Sequence, residues 1–299
     1  MCGFLLLSGQ SVSAQNKVPG KPGTEVEDPA LKPRREILTT KDNIKINAYY
    51  FPSLEGKDGI PVMILHEWKG QAAPYVPLCM ALREAGFAAV IVEYRGHGNS
   101  KTYTDRNGKE EPFNIATMGR NDVQAIVRYD LEEIKQFLKE ENNAGRLNLN
   151  ALCMIGVEEA AIMAGYWAIQ DWAIPSVGRM KQGQDVKAMV YISPEKNHEG
   201  FSLNTAVSNR NLINLPTLIV AGKGSSQGSE AERVGSRLES VKKKLQRGSV
   251  TGFDMLLPDT NLSGAALIND DATVIPKIVE FLKKNVHVSK TENPWIDRP

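Results

Sequence analysis

The sequence predicts an α/β fold: a mostly parallel twisted sheet with helices on both faces, preceded by an N-terminal antiparallel hairpin. Three observations predict it. Short continuous apolar runs recur along the chain, of the kind buried on both faces of a sheet. Stretches with helical apolar spacing separate them, and strand–helix alternation of this sort implies right-handed parallel crossovers. The size also fits, since 299 residues with 41% hydrophobic and 24% charged side chains suit one large open sheet and its core.

The elements follow in order. REILTT (35–40) and IKINAYYF (44–51) read as two strands joined through Lys41-Asp42-Asn43, which predicts the hairpin. Pro61–Leu65 is a buried strand, Tyr75, Leu78, Cys79 and Leu82 mark a helix over 74–85 stopped by Gly86, and Ala88–Val92 is the next strand. A loop of mixed polarity covers 96–118. A long amphipathic helix follows over 122–141, with Ile126, Tyr129, Ile134 and Leu138 on one face. A strand at 152–155, a helix at 159–171, and strands at 186–192, 217–221 and 253–257 complete the sheet, with helices at 229–246 and 265–286. The interval between the strands at 186–192 and 217–221 is too short for a folded cap.

Charge excludes some partners. With 36 basic and 35 acidic residues the formal net charge is +1, which gives no reason to expect nucleic acid or an anionic membrane as partner. No apolar run in the mature chain is long enough to span a bilayer. Residues 1–14 (MCGFLLLSGQSVSA) have the apolar core and small-residue end of a signal peptide, which predicts export to the periplasm or cell envelope; a disordered tail is the alternative. Residues 15–34 read as a flexible linker, 35–288 as one domain and 289–299 as a C-terminal tail. Cys79 and Cys153 lie in apolar patterns and are expected as buried free thiols. Neither a CxxC pair nor zinc-ligand spacing occurs, and no cofactor motif is found.

Three segments carry chemistry. His66-Glu67-Trp68-Lys69-Gly70 directly follows a buried strand; Glu93-Tyr94-Arg95-Gly96-His97-Gly98-Asn99-Ser100 follows another; and Gly156-Val157-Glu158-Glu159-Ala160 sits at a strand-to-helix turn. In this order and strand context they resemble the α/β-hydrolase superfamily over about 35–285. The first is similar to the loop that supplies an oxyanion-hole amide, the second to D-x-R-G-x-G-x-S, and the third to the G-x-S-x-G elbow. Lys181-Gln182-Gly183-Gln184-Asp185-Val186-Lys187-Ala188 and the Glu-bearing elbow further resemble a group of lid-less exported bacterial hydrolase-like proteins. The resemblance implies an α/β-hydrolase fold and three catalytic positions. At the nucleophile position stands Glu158. Near the acid position stand Lys223 and Ser225. The histidine position falls near Leu262, in Leu257–Gly264, which contains no histidine. The pattern implies a pseudoenzyme with a degenerate triad.

An elbow holds its central residue at positive φ, at a cost of about 1–3 kcal/mol, and needs small neighbours such as Gly156 and Ala160. Glu158 is the candidate catalytic residue, and His66, Glu67, Trp68, Lys69, Val157 and Glu159 are the candidate binding residues. Lying at a helix N-terminus, the Glu158 carboxylate is expected to fold back onto the Glu159 amide and toward Lys69 or His66, filling the oxyanion hole, or simply to cap the helix. As a nucleophile it is one methylene too long and lacks a histidine to activate water. His66, Glu67 and Glu158 form a conceivable metal set without fixed geometry. His198 is placed near the pocket rim, His287 on the surface, Arg95 tying loops through backbone carbonyls, Tyr166, Trp167 and Trp172 in packing, and Lys242-Lys243-Lys244 on a solvated face.

Three functions fit. One is non-catalytic binding of a small-molecule ligand or a protein partner in the pocket. The alternative is a hydrolase for an ester, lactone or amide that uses Glu158 as general base. The third is a structural envelope protein with a filled pocket.

Overall fold

The computed structural model describes residues 28–178 and 180–298, so the predicted signal peptide and the first 13 residues of the predicted linker, 15–27, lie outside the described residues. Eight strands make the main sheet: β1 Arg34–Thr39, β2 Lys45–Phe51, β3 Ile60–Leu65, β4 Phe87–Glu93, β5 Leu152–Val157, β6 Val186–Ile192, β7 Thr217–Val220 and β8 Phe253–Leu256. Their order is β1-β2-β4-β3-β5-β6-β7-β8. The hairpin β1–β2 and the β2–β4 pairing are antiparallel, and every pairing from β4 to β8 is parallel. Strands β3 to β6 are almost wholly buried, which is why they read as unbroken apolar runs, whereas edge strand β1 has no buried residue.

The helices are α1 Val76–Glu84, α2 Arg120–Asn143, α3 Glu159–Ala173, α4 Leu203–Val207, α5 Gly228–Leu245, α6 Gly264–Asp270 and α7 Val274–Asn285. One core layer joins the sheet to α2, α3 and α5 through residues such as Ile134, Leu138, Trp167 and Val234. The other joins it to α1, α6 and α7 through Leu78, Leu82, Leu267 and Phe281. Among the described residues no helix is long and apolar enough to cross a membrane. Cys79 and Cys153 are buried free thiols.

Several local expectations change. Helix α2 is not regular: Ile126–Asp130 form a π-helical turn, which leaves Tyr129 only partly buried and turns Asp130 fully inward. The single helix expected over 265–286 is two, α6 and α7, because Asp271 accepts bonds from the Thr273 amide and hydroxyl and stops the first. The 96–118 loop carries a small ribbon, Thr102–Thr104 against Glu110–Pro112. A second ribbon, Asn197–His198 against Phe201–Ser202, precedes α4 in the interval between β6 and β7. Arg95 does tie loops together, but through carboxylates and not carbonyls: its guanidinium lies 2.6 Å from Asp130 and 2.6 Å from Asp42.

Lys242 also departs from expectation. It is buried, 1% exposed, and its Nζ donates to the Leu215 carbonyl at 2.8 Å. Burial holds the amine down at about 8. Between that value and the unfolded value, the unfolded chain binds more protons, so this group makes stability rise with pH. Lys242→Met is expected to leave the fold intact and to stabilise it by about 1 kcal/mol near pH 7, since Thr217 Oγ1 still donates to the Leu215 carbonyl. Denaturation series at pH 7 and 9.5 check both points; the pH-dependent gain should be smaller in the variant.

Residues at the end of the chain are strapped down. Asn142, Asn143, Asn148 and Asn150 donate to the carbonyls of Ile296, Arg298, Asn293 and Pro294. The Lys57 ammonium sits 3.7 Å from the centre of the Trp295 ring. Arg298 pairs with buried Asp185, which Lys135 and Lys181 also contact at 3.2 and 3.0 Å. The Lys181–Ala188 stretch is thus the wall of a buried charge cluster.

Candidate functional site

The elbow forms where β5 runs into α3. Glu158 has φ 52° and ψ −119°, and its amide donates to the Ile192 carbonyl at 2.9 Å, which pins the turn to β6. A Cβ on Gly156 would come within 2.6 Å of the Ala161 Cα, so only glycine lets strand and helix approach this closely. The turn presents Glu158 at the carboxyl ends of the parallel strands, where ligands of such sheets bind.

The Glu158 side chain does not fold back over the helix start, as the sequence suggested, and it makes no capping bond. Its Oε1 accepts a hydrogen bond from Ser263 Oγ at 3.0 Å. Ser263 is the N-cap residue of α6, yet its hydroxyl serves Glu158 and caps nothing. A Cβ on Gly264 would stand 2.5 Å from Glu158 Oε1, so the loop after β8 needs glycine there to admit the carboxylate. Burial pushes the Glu158 carboxyl up from the usual range; the Ser263 hydroxyl opposes this, and the charges of Glu159, Glu67 and Glu195 reinforce it.

It is Glu159 that reaches the loop after β3. Its Oε2 accepts from the Trp68 amide at 3.2 Å, an N–H of the loop that the sequence resemblance expects to supply an oxyanion donor. Glu67 accepts from the Tyr75 hydroxyl, and Tyr94 OH donates to the His66 carbonyl at 3.0 Å. Lys69 has φ 65° and is exposed. Val157 is fully buried in the sheet core, so its side chain lines no pocket, contrary to its expected binding role.

Three of the four histidines meet around Trp68. The Trp68 ring lies 4.4 Å from His97 and 4.6 Å from His198, while His66 stacks on Tyr94 at 4.7 Å. His66 and His97 each donate Nδ1–H to a backbone carbonyl, of Glu67 and Arg95, at 2.8 and 2.9 Å. Burial lowers His66 and His198 and holds His97 at about 4, so all three are neutral near pH 7. Their Nε2 atoms are buried and meet no donor among the described residues. His287 is exposed, as expected.

At the other two positions, Ser225 Oγ donates to the Gly222 carbonyl at 2.8 Å and Lys223 is exposed. Leu262 is partly buried against the core. Sequence reasoning missed Ser263, although it lies in the segment 257–264 where the resemblance expects a histidine. It also missed Glu195, at the carboxyl end of β6, which accepts from Gln227 at 2.8 Å. No group of three His, Cys, Asp or Glu among the described residues is placed to hold a metal ion, so His66, Glu67 and Glu158 do not converge as one.

Comparison with solved structures finds esterases. An esterase of Pyrococcus furiosus aligns over 91% of this chain and 96% of its own, at 16% identity and a TM-score of 0.59. An esterase of Pyrobaculum calidifontis aligns over 85% of both chains at 12% identity and 0.55. Carboxyl esterase 2 of Tuber melanosporum aligns over 89% and 90%, at 15% identity and 0.55. No family model matches the sequence, and no curated protein matches it. Identities this low carry the fold and nothing finer.

Proposed function

We propose that this chain, which has the α/β-hydrolase fold, hydrolyses an ester, lactone or amide with Glu158 as general base toward water. The observation that carries the reading is the elbow carboxylate itself. It is held at positive φ, fixed by Ser263 through one oxygen, and made more basic by burial and neighbouring carboxylates. A base of raised pKa takes a proton from water more readily than an ordinary glutamate. Water loses a proton to the second carboxylate oxygen as its oxygen bonds the substrate carbonyl carbon. The Glu159 N–H, at the first helical position without an intrahelical acceptor, faces the developing oxyanion. The bond to the leaving group then breaks, and Glu158 returns the proton to it.

One contact favours a second reading, that of a binding protein without turnover or triad. The Trp68 amide is engaged by Glu159, so a substrate oxyanion must displace that carboxylate to gain a second donor. Glu159→Ala separates the readings. In a hydrolase it frees the Trp68 amide and raises kcat/KM by up to about tenfold; in a binding protein no hydrolysis appears in either form. The pH dependence has a fixed sign, because the base works only when ionised. Turnover rises with pH through the Glu158 pKa, which lies above the ordinary glutamate range. A rate profile with p-nitrophenyl acetate, corrected for the uncatalysed reaction, checks this. A profile without that limb tells against Glu158 as base.

A further inference from the structure

The π-helical turn of α2 lines a groove together with Tyr166 and Phe201. The groove measures about 920 Å³ and is lined by Arg120, Gln124, Arg128, Tyr129, Tyr166 and Phe201 among others.

 Phe201 and Tyr166 meet edge to face at 4.9 Å, the Arg120 guanidinium lies 4.8 Å above Phe201, and that of Arg128 lies 5.7 Å from the Tyr129 ring.

We infer that this groove is a binding site for a planar apolar acid, of the aryl carboxylate class, separate from the elbow. Two arginines and no aspartate or glutamate are among its lining residues. Arg120 spends one donor on the Gly200 carbonyl at 2.9 Å, and Arg128 makes no hydrogen bond or ion pair among the described residues. Most of the donors of two guanidinium forks are therefore unspent, and such forks match a carboxylate in bidentate fashion. The aromatic faces suit a flat ring beside it. The helix supplies an independent sign: π-helical turns are rare, occur often at functional sites, and here the turn contributes Val127, Arg128 and Tyr129 to the lining.

The probe is 2-naphthoate, titrated by calorimetry and by ligand-observed NMR, with neutral 2-naphthalenemethanol as its control. Saturable binding of one naphthoate per chain is expected, with the neutral control weaker by at least about fivefold. Arg128→Gln removes a fork, and Gln124→Glu sets a carboxylate in the groove; both positions are exposed on α2, so both variants should fold. Each is expected to weaken naphthoate at least about fivefold. Glu158→Gln should leave binding unchanged, which separates this site from the elbow and its fate from that of the proposed hydrolysis. Absence of saturable binding, equal affinity for the neutral control, no response to either groove variant, or loss of binding in Glu158→Gln would each overturn the inference.

Discussion

Arg95→Ala is expected to destabilise the fold by about 3–5 kcal/mol, the scale on which one member of a buried ion pair is missed. Asp130 is fully buried and receives the Arg95 amide at 2.8 Å as well as its guanidinium, so the variant leaves a buried carboxylate with one backbone donor. Asp42, at 31% side-chain exposure, can turn to water and contributes less. The sign of the pH dependence follows. Without Arg95 the folded Asp130 pKa rises further above its unfolded value, so the penalty is present above the unfolded pKa and shrinks as pH falls. Arg95→Lys should recover only part, because an ammonium cannot serve both carboxylates with a planar fork. Urea denaturation at pH 7 and pH 5 measures this; a loss below about 1 kcal/mol at pH 7 contradicts a structural role of this size.

Glu158→Gln is expected to lower kcat/KM by at least about a hundredfold on any ester, lactone or amide that the wild type turns over. The amide is nearly isosteric and can still accept from Ser263, so the elbow keeps its shape and loses only the base. Glu158→Ala should fall as far, and Tm should not drop in Glu158→Gln, since the charge removed is one that burial and three neighbouring carboxylates disfavour. Activity retained in both variants refutes the general-base reading, and no turnover in any of the three proteins moves the search to ligands.

The strands were legible because buried parallel strands are written as continuous apolar runs, and β6 matches its expected bounds, Val186–Ile192. The elbow was legible because its neighbours must be small. What failed was side-chain direction. The carboxylate that meets the Trp68 amide is Glu159 and not Glu158, since two consecutive residues at a positive-φ turn diverge and the sequence does not say which way each goes. Ser263 meets Glu158 across 105 residues, a separation without local signature. Lys242 could have been found: it follows Val234 and Leu238 at four-residue steps, on the buried stripe of α5. The π-helical turn shifts the register of α2 mid-helix, which an even helical period cannot represent.

The strap formed by residues 293–298 sets an order of events in synthesis. Its bonds to Asn142, Asn143, Asn148 and Asn150 span 144 to 155 residues, and Arg298 reaches Asp185 across 113. A ribosome delivers the asparagines about half a chain before their partners. Until then a nascent chain must hold the seam between α2 and β5 with water on those amides and one cation short at Asp185. The loop-closure entropy is modest, because it grows only with the logarithm of length. Timing matters more: contacts of such separation form slowly, so the seam is expected to be the last part of the nascent domain to become resistant to proteases.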